Sequence, residues 1–429
     1  MTKKDWGRAC ESFASFVQTK AQIGGESLRD FLAEADRLMR SAPRDQRAAY
    51  QELREADIQS SAEIHAKEVE NHGMHWPNGK YQQNRVLLDL AIQIRTLDEL
   101  LRDYSASVHA LRRSPEAHWM DQAGLSYVIP TRRPRVPEMA KGDGDRAGYD
   151  KRGTLHHRVI STTIEGLSVK LHVPRTLRAM TAPAPLVGGG AAFPDLALDY
   201  ADREGRFEVT GVRCKKMDEL VKEQVAAVAA CDFAVWPELT VDDDLLALIR
   251  QALKHEGLRR DTGHGLIVAG SWHRVDEDGV RRNRAPVLDA LGRCICWFSK
   301  IAIYGERDAG FEDATGGEEI VVLVFEDFIA SVCICKDFSD LQERNVWAML
   351  PVDVVLVASM GDAKTMDGHL IRATELSKGH RRRAFVVQQG LWNFHDEPTN
   401  FLLRAPEHVP RDVAETHFCE PYSLCKIED

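Results

Sequence analysis

The 429-residue sequence lacks any apolar run approaching the ~20 residues that a membrane-spanning helix needs, so no span is expected. It also lacks an excess of basic charge. Fifty-six Lys and Arg stand against 66 Asp and Glu, a formal net charge of −10, which argues against a general nucleic-acid-coating role. Basic runs at Arg132-Arg133-Pro134-Arg135 and Arg381-Arg382-Arg383 are local and read as solvated loop or helix ends. Neither is interleaved with the aromatics on which single strands stack, and aromatics are only 7% of the chain. A disulfide framework is missing too. The nine cysteines are odd in number, the chain is long, and several sit inside apolar runs, so they read as free thiols. The start, Met1-Thr2-Lys3-Lys4-Asp5-Trp6, leads into a mixed polar helix pattern rather than an apolar signal core, and a cytoplasmic location is expected. Gly188-Gly189-Gly190 lacks the strand, helix and lysine context of a phosphate cradle and reads as a flexible loop.

What is present is the mix of a globular protein: 44% hydrophobic and 28% charged residues. At about 150 residues per domain the length suggests two or three units. Residues 1–128 are expected to form a helical N-terminal domain. Trp6, Ala9, Phe13, Phe16 and Val17 mark one helical face over 4–21. Leu28, Phe31, Leu32, Ala35 and Leu38 mark a second over 26–40, with Ser27 as its cap. A charged stretch over 44–71 and a Leu/Ile-rich one over 82–112 complete the set. Residues 129–155 hold turn formers and charge without periodicity and are expected to be a linker. From 156 to 429 short apolar strands alternate with helices, beginning with 159–163 and 167–173 around a Glu165-Gly166 turn. That order indicates an α/β or α+β layered domain.

Three segments place a reactive side chain at the end of an apolar strand. Phe233-Ala234-Val235-Trp236-Pro237-Glu238 delivers a carboxylate just past a proline that stops the strand. Cys296-Trp297-Phe298-Ser299-Lys300 delivers an amine, followed by Tyr304-Gly305-Glu306. Ser331-Val332-Cys333-Ile334-Cys335 delivers a thiol before a helix. Thiol chemistry needs a base or cation nearby, because the thiolate is the nucleophile. Glu238 suits the base, Lys300 suits thiolate and oxyanion stabilisation, and the backbone N–H of Lys336 suits a second oxyanion donor. Taken singly, each has a plainer reading: a surface acid, a solvated lysine, a buried thiol.

In order and spacing, Trp236-Pro237-Glu238-Leu239, Lys300 with Gly305-Glu306, and Ile334-Cys335-Lys336-Asp337 resemble the glutamate, lysine and cysteine motifs of the nitrilase (carbon–nitrogen hydrolase) superfamily. Leu266 to Ser271, Asn283 to Gly292, Asp353 to Ser359 and Arg382 to Val387 resemble its supporting segments, so the likeness covers about 205–390. The resemblance implies an α-β-β-α sandwich that pairs into a homodimer or larger homo-oligomer. It implies catalytic Glu238, Lys300 and Cys335, with Glu306 positioning the site, and a thioester on Cys335. True nitrilases carry tryptophan then glutamate after the cysteine; Lys336-Asp337 fits the amidase-like branch. A small-molecule amide or ureido substrate is therefore expected, with no cofactor and no metal. The N-terminal helical domain lies outside the family core and its partner is unknown. A clean copy of the family's opening strand motif is not found over 156–212.

Two other classes remain open from the sequence. One is a catalytically silent scaffold whose helical arm docks a partner. The other is the same chemistry specialised for a nucleotide or metabolite in a bacterial defence system. For metals, Cys294/Cys296 and Cys333/Cys335 are C-x-C pairs within apolar strands rather than turn-borne zinc ligands. His65, Glu68 and His72 share one helical face with His75 beyond, a spacing that can ligate a metal but is more often a polar helix face, and no complementary ligand set stands elsewhere in the sequence.

Overall fold

The computed structural model describes residues 2–19, 25–79, 85–104, 118–131, 153–174, 186–193, 196–229, 231–260, 265–306, 310–325, 328–339, 346–380, 382–390, 400–404 and 422–427. It divides into two compact units, Met1–Thr163 and Ile164–Asp429. Most of the expected linker, 132–152, lies outside the described residues.

The first unit holds helices α1 (Lys3–Thr19), α2 (Gly25–Arg40), α3 (Arg44–Gln51), α4 (Glu55–His72) and α5 (Val86–Tyr104). Helix α1 buries Trp6, Cys10, Phe13, Ala14 and Val17, a stripe at three-to-four spacing. The stripe is rotated from the expected one, leaving Phe16 47% exposed. Ser27 falls inside α2, which begins at Gly25, rather than capping it. The charged 44–71 stretch is two helices, because Arg54 is extended (φ −87°, ψ 130°) and restarts the helix. Trp6, Phe13, Phe31, Trp76, Leu90 and Leu97 meet in one core. Beside the helices, β1 (Ser126–Pro130) pairs antiparallel with β2 (His157–Ser161). Ile129 and Pro130, read from composition as linker, thus belong to a strand.

The strands that follow are β3 (Thr163–Ile164), β4 (Leu167–His172), β5 (Leu186–Ala191), β6 (Ala197–Arg203), β7 (Arg206–Arg213), β8 (Phe233–Trp236), β9 (Leu266–Ala269), β10 (Trp272–Val275), β11 (Arg281–Asp289), β12 (Cys294–Ser299), β13 (Gly305–Glu306), β14 (Gly310–Glu312), β15 (Glu319–Val324), β16 (Ile329–Ile334), β17 (Val354–Gly361), β18 (Arg383–Gly390), β19 (Asn400–Arg404) and β20 (Tyr422–Ile427). One seven-stranded sheet runs β10-β11-β9-β8-β5-β20, with β12 on β11. The other runs β19-β18-β17-β16-β15-β4-β3. Their apolar faces meet: Phe233, Val235, Val268 and Val287 of the first share a core with Leu323, Val332, Leu356 and Phe385 of the second. Helices α6 (Met217–Val228) and α7 (Asp243–Arg260) cover the first sheet's outer face through Leu220, Val225, Leu246 and Ile249. Helix α10 (Ala363–His380) packs on β17 and β18 of the second, with α8 (Lys336–Ser339) beside it and α9 (Val346–Met349) following α8 in the chain. The architecture is mixed α/β, an α-β-β-α sandwich.

Gly188 to Gly190 are not a loop but the middle of β5, paired with β8 and β20. A Cβ on Gly188 would stand 2.6 Å from the Phe233 ring, and one on Gly189 2.8 Å from Val228. Those side chains fill the space, so only glycine lets β5 lie this close. The pairs β6–β7 and β13–β14 also went unread from sequence; with β7 and β14 adjacent they form a four-stranded sheet. Among the described residues no helix is long and apolar enough to cross a membrane.

Candidate active site

The site gathers at strand ends where two sheets face each other. Strand β8 runs parallel to β5 and β9, and Pro237 stops it, so Glu238 sits just beyond the ladder. The Glu238 N–H donates to the Ser359 carbonyl (3.3 Å), the Leu239 N–H to Ser271 Oγ (3.2 Å), and the Ser271 N–H to the Pro237 carbonyl (3.3 Å). The glutamate loop is thus tied both to its own sheet and to the facing one. Lys300 follows β12 directly, and its N–H donates to the Asn283 carbonyl at 2.8 Å.

Cys335 follows β16, which runs parallel to β17. Its φ is +42°, a left-handed conformation costing a non-glycine residue about 1–2 kcal/mol. The turn is held because the Cys335 N–H donates to the Ala358 carbonyl (2.8 Å) while its own carbonyl accepts from Phe338 (2.9 Å). Asp337, 1% exposed, locks the turn to the lysine loop. Its Oδ1 accepts from the N–H groups of Ile301 (2.8 Å) and Ala302 (2.6 Å), and its Oδ2 from that of Ile334 (3.1 Å).

At the centre, Lys300 Nζ donates to Glu238 Oε1 (2.7 Å) and to Glu312 Oε2 (2.8 Å). Asn283 Nδ2 bridges the same two carboxylates, at 2.9 Å and 2.8 Å. Met360 N–H donates to Glu238 Oε2 at 3.2 Å, and Tyr304 N–H to Glu312 Oε2 at 3.1 Å. His273 Nδ1 accepts from the Val209 N–H (3.0 Å), so its Nε2 carries the proton and donates to Glu312 Oε1 (3.0 Å). That assigns a neutral imidazole. Glu238, Lys300, Asn283, His273 and Glu312 are all buried.

Burial alone opposes charge on Lys300, but Glu238 and Glu312 beside it outweigh that and hold the ammonium charged well above its ordinary range. Burial likewise opposes charge on Glu312, yet Lys300 and His273 hold its carboxyl well below the usual carboxylate range. Cys335 shows the converse. Burial and then the Glu238 charge push its thiol up to about 12, with Lys300 pulling the other way. Two carboxylates already face one ammonium, so a thiolate made by losing a proton to water would add uncompensated buried charge. Passing that proton to Glu238 leaves the net charge of the pocket unchanged. Charge balance therefore favours a thiol that ionises by internal transfer.

Buried His369 of α10 lies 2.8 Å from Ser359 Oγ, behind the carbonyl that holds Glu238. Burial lowers its pKa from 6.5 to about 4. The unfolded chain then binds the extra proton between those values, so His369 contributes stability that is present above pH 6.5 and lost as pH falls toward 4. Across that window the loss is expected to be roughly 2–4 kcal/mol at 1.36 kcal/mol per pH unit. Urea unfolding at several pH values checks this: His369→Gln should flatten the acid side of the stability curve, and an unchanged slope would rule the histidine out as its source.

The structure therefore brings Glu238, Lys300 and Cys335 together. The side chain of Glu306 lies outside the described residues. The carboxylate found on Lys300 is that of Glu312, six residues on, where β13 and β14 fold back so that Gly310 pairs with Glu306. Lys336 opens α8, with its ammonium 5.9 Å from the Tyr304 ring centroid. Glu312, His273, Asn283 and Asp337 were not singled out from the sequence, although Asn283 and Asp337 fall within segments that carry the resemblance. Cys296 is buried in the core between the sheets and Cys294 is exposed. Among the described residues the metal-compatible cluster contains no cysteine.

No protein-family model matches the chain, and no curated protein does. Solved structures do match. An amidase from Nesterenkonia sp. is 15% identical with a TM-score of 0.40, over 59% of this chain and 94% of that one. A mutant of the Nesterenkonia sp. AN1 amidase with the acetamide moiety of fluoroacetamide added at its active-site cysteine gives 15%, 0.40, 58% and 92%. A third structure, described as a mutant Nesterenkonia AN1 amidase from the nitrilase superfamily, gives 16%, 0.38, 59% and 94%. At this identity and overlap the likeness assigns no activity to this chain.

Proposed function

We propose that this chain is a cysteine-dependent hydrolase of a non-peptide carbon–nitrogen bond, of amide or ureido type, in the amidase-like branch of the nitrilase superfamily. One observation carries the reading: a buried ammonium clamped between two carboxylates, at 2.7 Å and 2.8 Å, beside a thiol on a left-handed strand-end turn.

In this mechanism Glu238 takes the Cys335 proton as Sγ attacks the substrate carbonyl carbon. An ammonium has three N–H donors. Two are used on Glu238 and Glu312, which leaves the third to meet the developing oxyanion, together with the Lys336 backbone N–H. Glu238 then returns its proton to the leaving nitrogen as the C–N bond breaks, leaving a Cys335 thioester and free ammonia or amine. Water enters, Glu238 removes its proton, and hydroxide adds to the thioester. Collapse expels the thiolate, which recovers its proton from Glu238, and the acid departs. Glu312 acts through Lys300, keeping it charged and aimed; it is a positioning residue.

The test is ammonia release from a panel of small aliphatic amides and ureas, with hydroxylamine added to intercept the acyl-enzyme as a hydroxamate. Wild type should form hydroxamate and Cys335→Ala should not. Equal ammonia release from Cys335→Ala would sink the assignment.

A further inference from the structure

The first unit contains three metal-ligating side chains that the proposed hydrolase chemistry does not use. His65 and Glu68 lie one turn apart on α4, and Gly73 (φ +83°) folds the chain back after the helix so that His75 returns to the same place. Their ligand atoms all lie within 4.8 Å of one another. His65 Nδ1 is 3.7 Å and His75 Nε2 3.4 Å from Glu68 Oε2. The two rings stand nearly perpendicular, 83° apart, with centroids separated by 4.6 Å.

Hydrogen bonds on the far sides of the rings decide what faces inward. His75 Nδ1 is 2.9 Å from the Gly73 carbonyl, which only accepts, so Nδ1 carries a proton; in the neutral ring Nε2 then presents a lone pair toward Glu68 Oε2 at 3.4 Å. Gln93 Nε2 points at the Met74 thioether (3.4 Å), again only an acceptor, which turns Gln93 Oε1 toward His65 Nε2 at 3.2 Å. His65 therefore donates from Nε2 and presents Nδ1 as a lone pair. That nitrogen is buried, on a residue 3% exposed, and has no hydrogen-bond partner among the described residues. With both rings neutral, three acceptors thus converge on one point.

We propose that His65 Nδ1, Glu68 Oε2 and His75 Nε2 bind one zinc-class divalent metal ion, with water in the remaining position. Tetrahedral sites with bonds of about 2.0–2.1 Å place ligand atoms about 3.3 Å apart; the two histidine–glutamate spacings here are 3.4 and 3.7 Å, and all three atoms lie within 4.8 Å. Imidazole and carboxylate ligands suit such an ion. Each histidine already donates its other N–H to a carbonyl or amide oxygen, the arrangement that fixes the tautomer of metal-bound imidazoles. The ion would staple the last turns of α4 to the segment after it. His72, exposed and outside the cluster, takes no part.

The test uses the full chain, stripped with chelator, then titrated with Zn²⁺ against a chromophoric competitor and separately with Co²⁺. Wild type should bind one tight equivalent and show tetrahedral Co²⁺ visible bands without the thiolate-to-cobalt charge transfer that cysteine ligation produces. His75→Ala and Glu68→Ala, both at partly exposed positions, should bind about a hundredfold or more weakly, while His72→Ala binds like wild type. Gln93→Met, which removes the amide that holds His65, should cost about 10–100-fold. Unchanged affinity in His75→Ala and Glu68→Ala, a thiolate band in the tight site, or no tight equivalent in wild type would each overturn the proposal.

Discussion

Cys335→Ala is expected to lower amide turnover on the order of 10⁵-fold or more, the scale seen when a nucleophile that works as a unit with its base is removed. Glu238→Gln should cost a comparable factor, because the thiol, pushed up to about 12, then has no acceptor for its proton. The double variant should be scarcely worse than either single one, since each alone disables the same step. Initial rates of ammonia release for the four proteins, with circular dichroism to verify folding, decide it. Additive losses would mean that the two residues act in separate steps.

Lys300→Met is expected to cost both activity and stability. The lysine side chain is 3% exposed, and its removal leaves the buried carboxylates of Glu238 and Glu312 facing each other without a cation. Breaking a buried pair in this way costs roughly 3–5 kcal/mol. The deficit carries a pH signature. In the variant a carboxyl must be protonated in the folded state, so its folded pKa lies above its unfolded value. Stability is then present at low pH and lost as pH rises, and the gap to wild type should narrow toward acidic pH. Adding Glu312→Gln to Lys300→Met should recover part of the stability and none of the activity. Denaturant unfolding across pH reads the first effect and the ammonia assay the second. A deficit independent of pH would mean that lost packing, not unpaired charge, accounts for it.

The separation of effects follows from how the site is built. Asp337 fixes the Cys335 turn against the lysine loop through three backbone N–H groups, while Asn283 spans the two carboxylates. Neither residue supplies a nucleophile or base. Both set where those groups stand.

Glu238, Lys300 and Cys335 were legible from the sequence because each ends an apolar strand and a reactive side chain at such a position is locally conspicuous. Fully buried apolar strands were legible for a related reason: runs such as Ile329–Ile334, buried at every position, need uninterrupted apolar residues. Glu312 was not legible. Glu306 and Glu312 both flank the Gly310 turn, and only the register of β13 on β14, together with β14 lying on β7, turns Glu312 toward Lys300. His273 was hidden likewise, since its tautomer depends on an N–H from Val209, sixty-four residues away.

By itself the sequence determined the alternation of helices and strands in the second unit, the helical character of the first, and which three side chains stand at strand ends. These are local properties, set by periodicity, by proline and by apolar runs. Only the tertiary structure decided that Gly188-Gly189-Gly190 is a central strand, because the reason lies in the Phe233 and Val228 side chains pressed against it. It also decided that the carboxylate on Lys300 is Glu312, and that His65, Glu68 and His75 converge while His72 does not. Each depends on a distance between residues that no local pattern encodes: the register of a pairing, the closeness of two sheets, the turn after a helix.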